Sequence, residues 1–258
     1  MAKKDKTPPK PAKLDRKGKQ ARWTKARAAE SAYKTQLRGV ARQVRSIVRA
    51  WTPKTQAKPF SQKIVEALQG YANLITPWAE AVAESMIADV YRRDQVMWNQ
   101  VAADMSTRLR HELRKSPPGA IFKELQAQQV TLIKSIPLEA SKRVHALAQE
   151  GLLKSTRAEA LKAEILKTSD IAESRARLIA RTETSRAASN LVQARAQHAG
   201  SIGYIWRTSE DEDVRPSHKE MNGKYVRWTH PPTLDNLKGH AGTLPNCRCY
   251  AEPVFPDD

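Results

Sequence analysis

Residues 170–209 read DIAESRARLIARTETSRAASNLVQARAQHAGSIGYIWRTS, and their pattern changes once, at Gly200. Asp170 followed three residues later by Glu173 is a capping-box arrangement that opens a helix. From there to His198 the residues are mostly Ala, Leu, Arg, Gln and Glu, the best helix formers. Gly200 stands just past the end, where a left-handed residue stops a helix. Beyond it the period shortens: IGYIWRTS (202–209) alternates and is rich in β-formers, as are KYVRW (224–228) and CRCYAEPVF (247–255). DEDVRPSH (211–218) and PPTLDNLKGHAGTLPN (231–246) between them read as loops. The expected class is α+β, a helical scaffold followed by a small antiparallel β unit at the C-terminus. Loops this long for such short strands point to function or to something that clamps them.

Upstream, helix follows helix. Thr156 and Glu159 form another capping box, for a helix ending near Lys167. Ile136-Pro137 predicts a local break before a helix over 138–150, with Gly151 as its stop. SPPG (116–119) is the clearest boundary. Residues 60–115 read as helix, interrupted at Pro77 and restarting at TPWAEA with Thr76 as N-cap. Met86, Val90, Met97, Val101 and Met105 make a core stripe in it. TPKTQAKP (52–59) ends the helix before that one. There Trp23, Leu37, Val44 and Trp51 share one heptad position and Ala26, Tyr33, Val40 and Ile47 the other, with only Glu30 interrupting. The organisation expected is a disordered arm over 1–20, a helical region over 21–118 and a C-terminal domain over 119–258. Within that domain the helices fall in 120–199 and the β unit in 201–258.

Net charge is +18, and its distribution is uneven. Residues 1–60 hold 18 Lys and Arg against 3 acidic residues; the rest hold 27 against 24. Such asymmetry suits a polyanion or an acidic surface, and also simple solubility. The basic face of the first helix carries Arg22, Lys25, Arg27, Lys34, Arg38, Arg42, Arg45 and Arg49, the candidate contacts to nucleic acid or an acidic partner. The helix could pack on the body or lie on a membrane surface. The arm over 1–50 is expected to be removable with the body left folded. No stretch approaches the ~20 apolar residues of a membrane span, and no apolar segment follows the basic start as in a secretory signal. Cytosol, with reduced thiols, is the compartment expected.

The only two cysteines are Cys247 and Cys249. They sit in an assembly of ARTET (180–184), W-x-x-S-x-D-x-D-V-R-P-S-H-x-x-x-N-G (206–223) and P-N-C-R-C (245–249). In this order and spacing the three elements resemble the Mu F-like family of phage head morphogenesis proteins, minor head proteins of tailed phages, over roughly residues 120–255. The positions that match the family's signature are Arg181, Thr182, Glu183, Trp206, Asp213, Arg215, His218, Gly223, Asn246, Cys247, Arg248 and Cys249. The resemblance implies a non-enzymatic protein of procapsid assembly, at or near the portal, resident in the head interior or portal region of the virion. Portal, coat or scaffolding protein would be its partners, met in the host cytoplasm, with packaged DNA reached by the basic arm and no membrane involved.

The residues themselves leave several chemistries open. Two thiolates and one or two imidazoles suit tetrahedral zinc, with His218, Cys247, Cys249 and His240 as candidate ligands. The same thiols can be packing, and a disulfide at i and i+2 would be strained. A nucleophile, base and orienter built from Cys, His and Asp is the enzymatic alternative. No phosphate loop, G-x-S-x-G or H-E-x-x-H accompanies it. A nucleic-acid-binding regulatory protein is the other alternative. Arg215 and Arg248 call for carboxylate partners, for which Glu183 and Asp213 are the candidates.

Overall fold

The computed structural model describes residues 26–51, 60–103, 119–154 and 158–255. Five long helices come first: α1 (Ala26–Trp51), α2 (Phe60–Leu74), α3 (Thr76–Ala103), α4 (Gly119–Leu153) and α5 (Ala158–His198). Strand β1 (Gly203–Arg207), a one-turn helix α6 (Pro216–Lys219), β2 (Tyr225–Arg227), β3 (Thr233–Leu234), β4 (Leu237–Lys238) and β5 (Tyr250–Val254) follow. This is the α+β class. Residues 1–20, Arg22, Trp23, Lys25, TPKTQAKP (52–59), Met105, SPP (116–118) and Thr156 lie outside the described residues.

The chain forms two compact units. The helical unit takes the described residues within Glu30–Met86 and Glu124–Arg181. The sheet-bearing unit takes those within Ile87–Lys123 and Thr182–Asp258, with the start of α1. Both therefore draw on either side of the SPPG boundary.

In the helical unit the heptad stripe of α1 is interior. Tyr33, Leu37, Val40, Ala41, Val44 and Val48 are buried, and Ile47 is half-buried. The Tyr33 hydroxyl donates to Gln129 Oε1 at 3.1 Å. The helix is thus a structural member of its unit. Removing residues 1–50 would strip out this apolar face, which corrects the expectation that the whole arm is dispensable.

Two expected breaks are absent. The helix α4 runs through Pro137. Proline in a helix interior costs about 3 kcal/mol, through one lost amide bond and a ring clash. Ile133, Ile136, Ala140 and Val144, buried on either side of it, offset that cost. Likewise α5 continues past Lys167 for 41 residues, because Ile165, Ala172 and Ala176 keep one apolar face buried across Thr168–Asp170. The break before Pro77 is real: α2 stops at Leu74 and α3 begins at Thr76. The Thr76 hydroxyl, however, donates back to the Asn73 carbonyl at 2.9 Å. Met86, Val90 and Met97 are interior.

The sheet runs β2-β1-β5, all antiparallel, with Tyr204 opposite Val226 and Pro253. Pro253 is accommodated because β5 is an edge strand. Tyr204 and Trp206 of β1, Trp228, Met97, Trp98, Val192 and Ala196 build the core beneath it, with Cys247 and Cys249 at its margin. The stretch expected as loop over 231–246 contains a hairpin, β3–β4. Asp235 and Asn236 take positive φ (51° and 63°) at its turn, the conformation a two-residue hairpin needs.

Candidate functional site

The C-terminal loops converge on two sulfurs and a ring. Cys247 and Cys249 lie in the three residues just before β5, both buried, with Arg248 between them part-exposed, the alternation that residues i and i+2 show in a strand. C-x-C spacing therefore brings both sulfurs together and sends Arg248 the other way. His218 comes from α6, whose first turn begins at Pro216, a residue pre-set for a helix start. Its Nδ1 lies 3.5 Å from each sulfur, and the three donor atoms are within 4.8 Å of one another. All three side chains are buried, at 2 % (His218), 4 % (Cys247) and 4 % (Cys249) exposure. Both cysteines are free thiols.

The pair of thiols shares its charge unequally. A hydrogen bond from Cys249 pulls the Cys247 pKa below that of an ordinary thiol, against burial and with help from His218 and the backbone N–H groups of Cys249 and Gly242. The same bond, then burial, pushes Cys249 up. The ring of Trp206 also meets His218 edge-on, centroids 5.6 Å apart.

The loop that carries the thiols is tied to α5. Asn246 N–H donates to the Thr182 hydroxyl (3.1 Å), Ser185 Oγ to the Cys247 carbonyl (3.1 Å) and Arg186 Nε to the Thr243 carbonyl (3.2 Å). Asn246 and Gly242 adopt positive φ. A Cβ on Gly242 would collide with Ser189 Oγ and stand 2.9 Å from the Cys249 carbonyl oxygen. The α6 loop is tied in turn: Arg215 donates to the Pro245 carbonyl and reaches Asp235 (3.5 Å), which also accepts from Ser217 (3.0 Å). Arg248 bridges Asp211 (2.8 Å) and Asp213 (2.9 Å). The Asp213 side chain is 79 % exposed, so that pair belongs with surface ion pairs worth about 0–1 kcal/mol.

Other sequence candidates fall elsewhere. His240 does not join the trio, which corrects its place as fourth ligand. Its Nε2 bonds the Trp228 carbonyl (3.0 Å) and its Nδ1 the Tyr204 hydroxyl (3.2 Å). Burial lowers its pKa, so the neutral ring donates through Nε2 and accepts through Nδ1. Glu183 pairs with Arg186 (2.9 Å), a neighbour on its own helix, and Arg181 with Glu30 (3.6 Å) in the helical unit. Trp206 is core, and Gly223 (φ 84°) makes the turn into β2, its N–H bonded to the Trp206 carbonyl (2.8 Å). On the basic face, Arg38 pairs with Glu173 (2.5 Å) and Arg45 with Asp170 (3.0 Å), Arg27 lies 3.9 Å from Asp211, and Arg42 and Arg49 are exposed. Lys34 is half-buried.

Sequence reasoning missed Ser185, Arg186 and Gly242, and within the quoted motif singled out Asp213 while Arg248 also pairs with Asp211. Ser185 and Arg186 follow ARTET directly, one turn on from Arg181 and Thr182, and helical spacing was the available signal. Gly242, in HAGT, was a candidate for a close backbone approach. A cleft of about 710 Å³ lies between α4 and α5 in the helical unit, lined by Ala140, Arg143, Leu147, Ile171 and Arg175 among others. The trio does not line it.

Residues 142–252 match the family model described as phage Mu protein F like protein. An uncharacterized protein of Haemophilus influenzae is 30 % identical over 190 residues, 71 % of this chain. The chain spans 41 % of that relative's length. No solved structure matches. No helix among the described residues is long and apolar enough to cross a membrane.

Proposed function

We propose that this chain, whose residues 142–252 match the family model described as phage Mu protein F like protein, is a member of that family and a non-enzymatic minor head protein acting in procapsid assembly and head morphogenesis. The observation that carries the reading is the extent of that match, which includes α5 and the loops around the two cysteines. Burial of His218, Cys247 and Cys249 favours a structural role over a thiol or metal-dependent enzyme, since a nucleophile must meet its substrate. The work of the protein is binding. Its body engages portal, coat or scaffolding protein at or near the portal, and it stays in the head of the virion after assembly in the host cytoplasm. Mass spectrometry of purified procapsids and virions tests this. The protein is expected in both, and particles made without it should be malformed or non-infectious; its absence from both overturns the reading.

The charge of the first 60 residues favours a contact with packaged DNA or an acidic surface as part of that work. A nucleic-acid-binding regulatory protein would use the same charge away from heads. The residues to remove are 1–21, ahead of the buried face of α1. The shortened protein should lose duplex DNA binding that in the full chain weakens steeply with salt, by a log–log slope of about −0.9 per phosphate contacted. Unchanged binding by the shortened protein would exclude the arm.

A further inference from the structure

We propose that His218 Nδ1, Cys247 Sγ and Cys249 Sγ bind one zinc ion, which fastens α6 and its loop to the segment entering β5. Three observations lead there. The first is metric. Tetrahedral zinc with Zn–S of about 2.3 Å and Zn–N of about 2.0–2.1 Å sets sulfur and nitrogen about 3.5 Å apart. His218 Nδ1 stands 3.5 Å from both sulfurs. The second is how the donors are gathered. Cys247 and Cys249 are free and buried, and their sulfurs lie with His218 Nδ1 within 4.8 Å of one another. Two soft sulfur donors and an imidazole at that spacing are a zinc ligand set.

The third is a contrast between two histidines of one unit. Both ring nitrogens of His240 are bonded to protein oxygens. His218 is more deeply buried, and among the described residues its Nδ1 meets no oxygen, only the two sulfurs. Sulfur is a weak hydrogen-bond partner for a buried ring nitrogen, whereas one ion held by that nitrogen and both sulfurs would satisfy all three. The ligands are also held ready, because Thr182, Ser185 and Arg215 fix the backbone on either side of Cys247. Three protein ligands leave one coordination position to be filled from outside the trio. Binding displaces the two thiol protons and leaves the ion and its ligands with no net charge beyond that of neutral imidazole, as Zn²⁺ with two thiolates requires.

The test is elemental analysis of the full chain purified without chelator, followed by X-ray absorption at the zinc edge. About one zinc per chain is expected, with two sulfurs at about 2.3 Å and nitrogen at about 2.0–2.1 Å. Cys247→Ser and Cys249→Ser should lose the metal, whereas His240→Ala should keep it. If the serine variants fail to fold, the wild type supplies the answer: a strong chelator should lower its Tm and added zinc restore it. No zinc after purification and none taken up on titration overturns the proposal, as does a Tm indifferent to chelator. Loss of zinc from a folded His240→Ala protein overturns the ligand set.

Discussion

In the helical unit, Leu37, Val44, Ile64, Leu68, Ile133, Ile136 and Ile165 form the interior, and the ion pairs Arg38–Glu173 and Arg45–Asp170 sit at its surface. The sheet-bearing unit adds buried charge and thiols to an apolar core. It buries an ion pair, Asp94–Arg195 at 2.5 Å, two thiols and an imidazole, and sets Tyr204 4.4 Å from Trp228. Its loops are held by side chains bonded to backbone carbonyls and amides as well as by the buried Val214, Ala241 and Leu244. The first unit depends on how much surface it removes from water. The second depends on that and also on the partners of its buried charges.

The largest expected effect breaks the first half of that contrast. Leu37 is wholly buried, and Leu37→Ala should destabilise the protein by about 2–5 kcal/mol. Urea denaturation followed by circular dichroism measures it. A loss below 1 kcal/mol would mean that α1 contributes little to its unit.

A smaller effect sharpens the second half. Burial raises the Asp94 pKa from 3.8 to about 6, against the pull of Arg195. A carboxyl whose folded pKa exceeds its unfolded one binds more protons when folded. Its contribution is therefore present at low pH and is lost as pH rises from about 4 to about 6. Compared with Asp94→Asn, the wild type should lose on the order of 2 kcal/mol across that window and nothing more above it. Denaturation of both proteins at pH 4, 5, 6 and 7 measures the difference. A relative gain over the same window would show that Arg195 outweighs desolvation.

The same division explains what the sequence made legible. Helices whose apolar residues recur at 3.6-residue spacing could be read directly, as could the stripe from Tyr33 to Val48. Pro137 and Thr168–Asp170 were read as punctuation because local propensity speaks against helix there. Burial on both sides, a tertiary term, overrode it. In the C-terminal loops Cys247, Cys249 and His218 could be singled out by residue type. Choosing between His218 and His240 required knowing that Tyr204 and the Trp228 carbonyl already occupy the second ring. The Ser185 and Arg186 bonds to loop carbonyls were equally hidden, because their partners lie 62 and 57 residues away.

Pro253 bears on how copies of this protein avoid one another. A sheet of three strands has two open edges, and an open edge is a template on which a foreign strand can grow. At Pro253, one residue from the end of β5, the edge has no N–H to offer an incoming chain. β2, at the opposite edge, is only three residues long, too short to seed an extended ladder. Both features disfavour self-association through strand exchange among the described strands, so copies at high local concentration would more readily meet through side-chain surfaces, where contacts can be specific and can end.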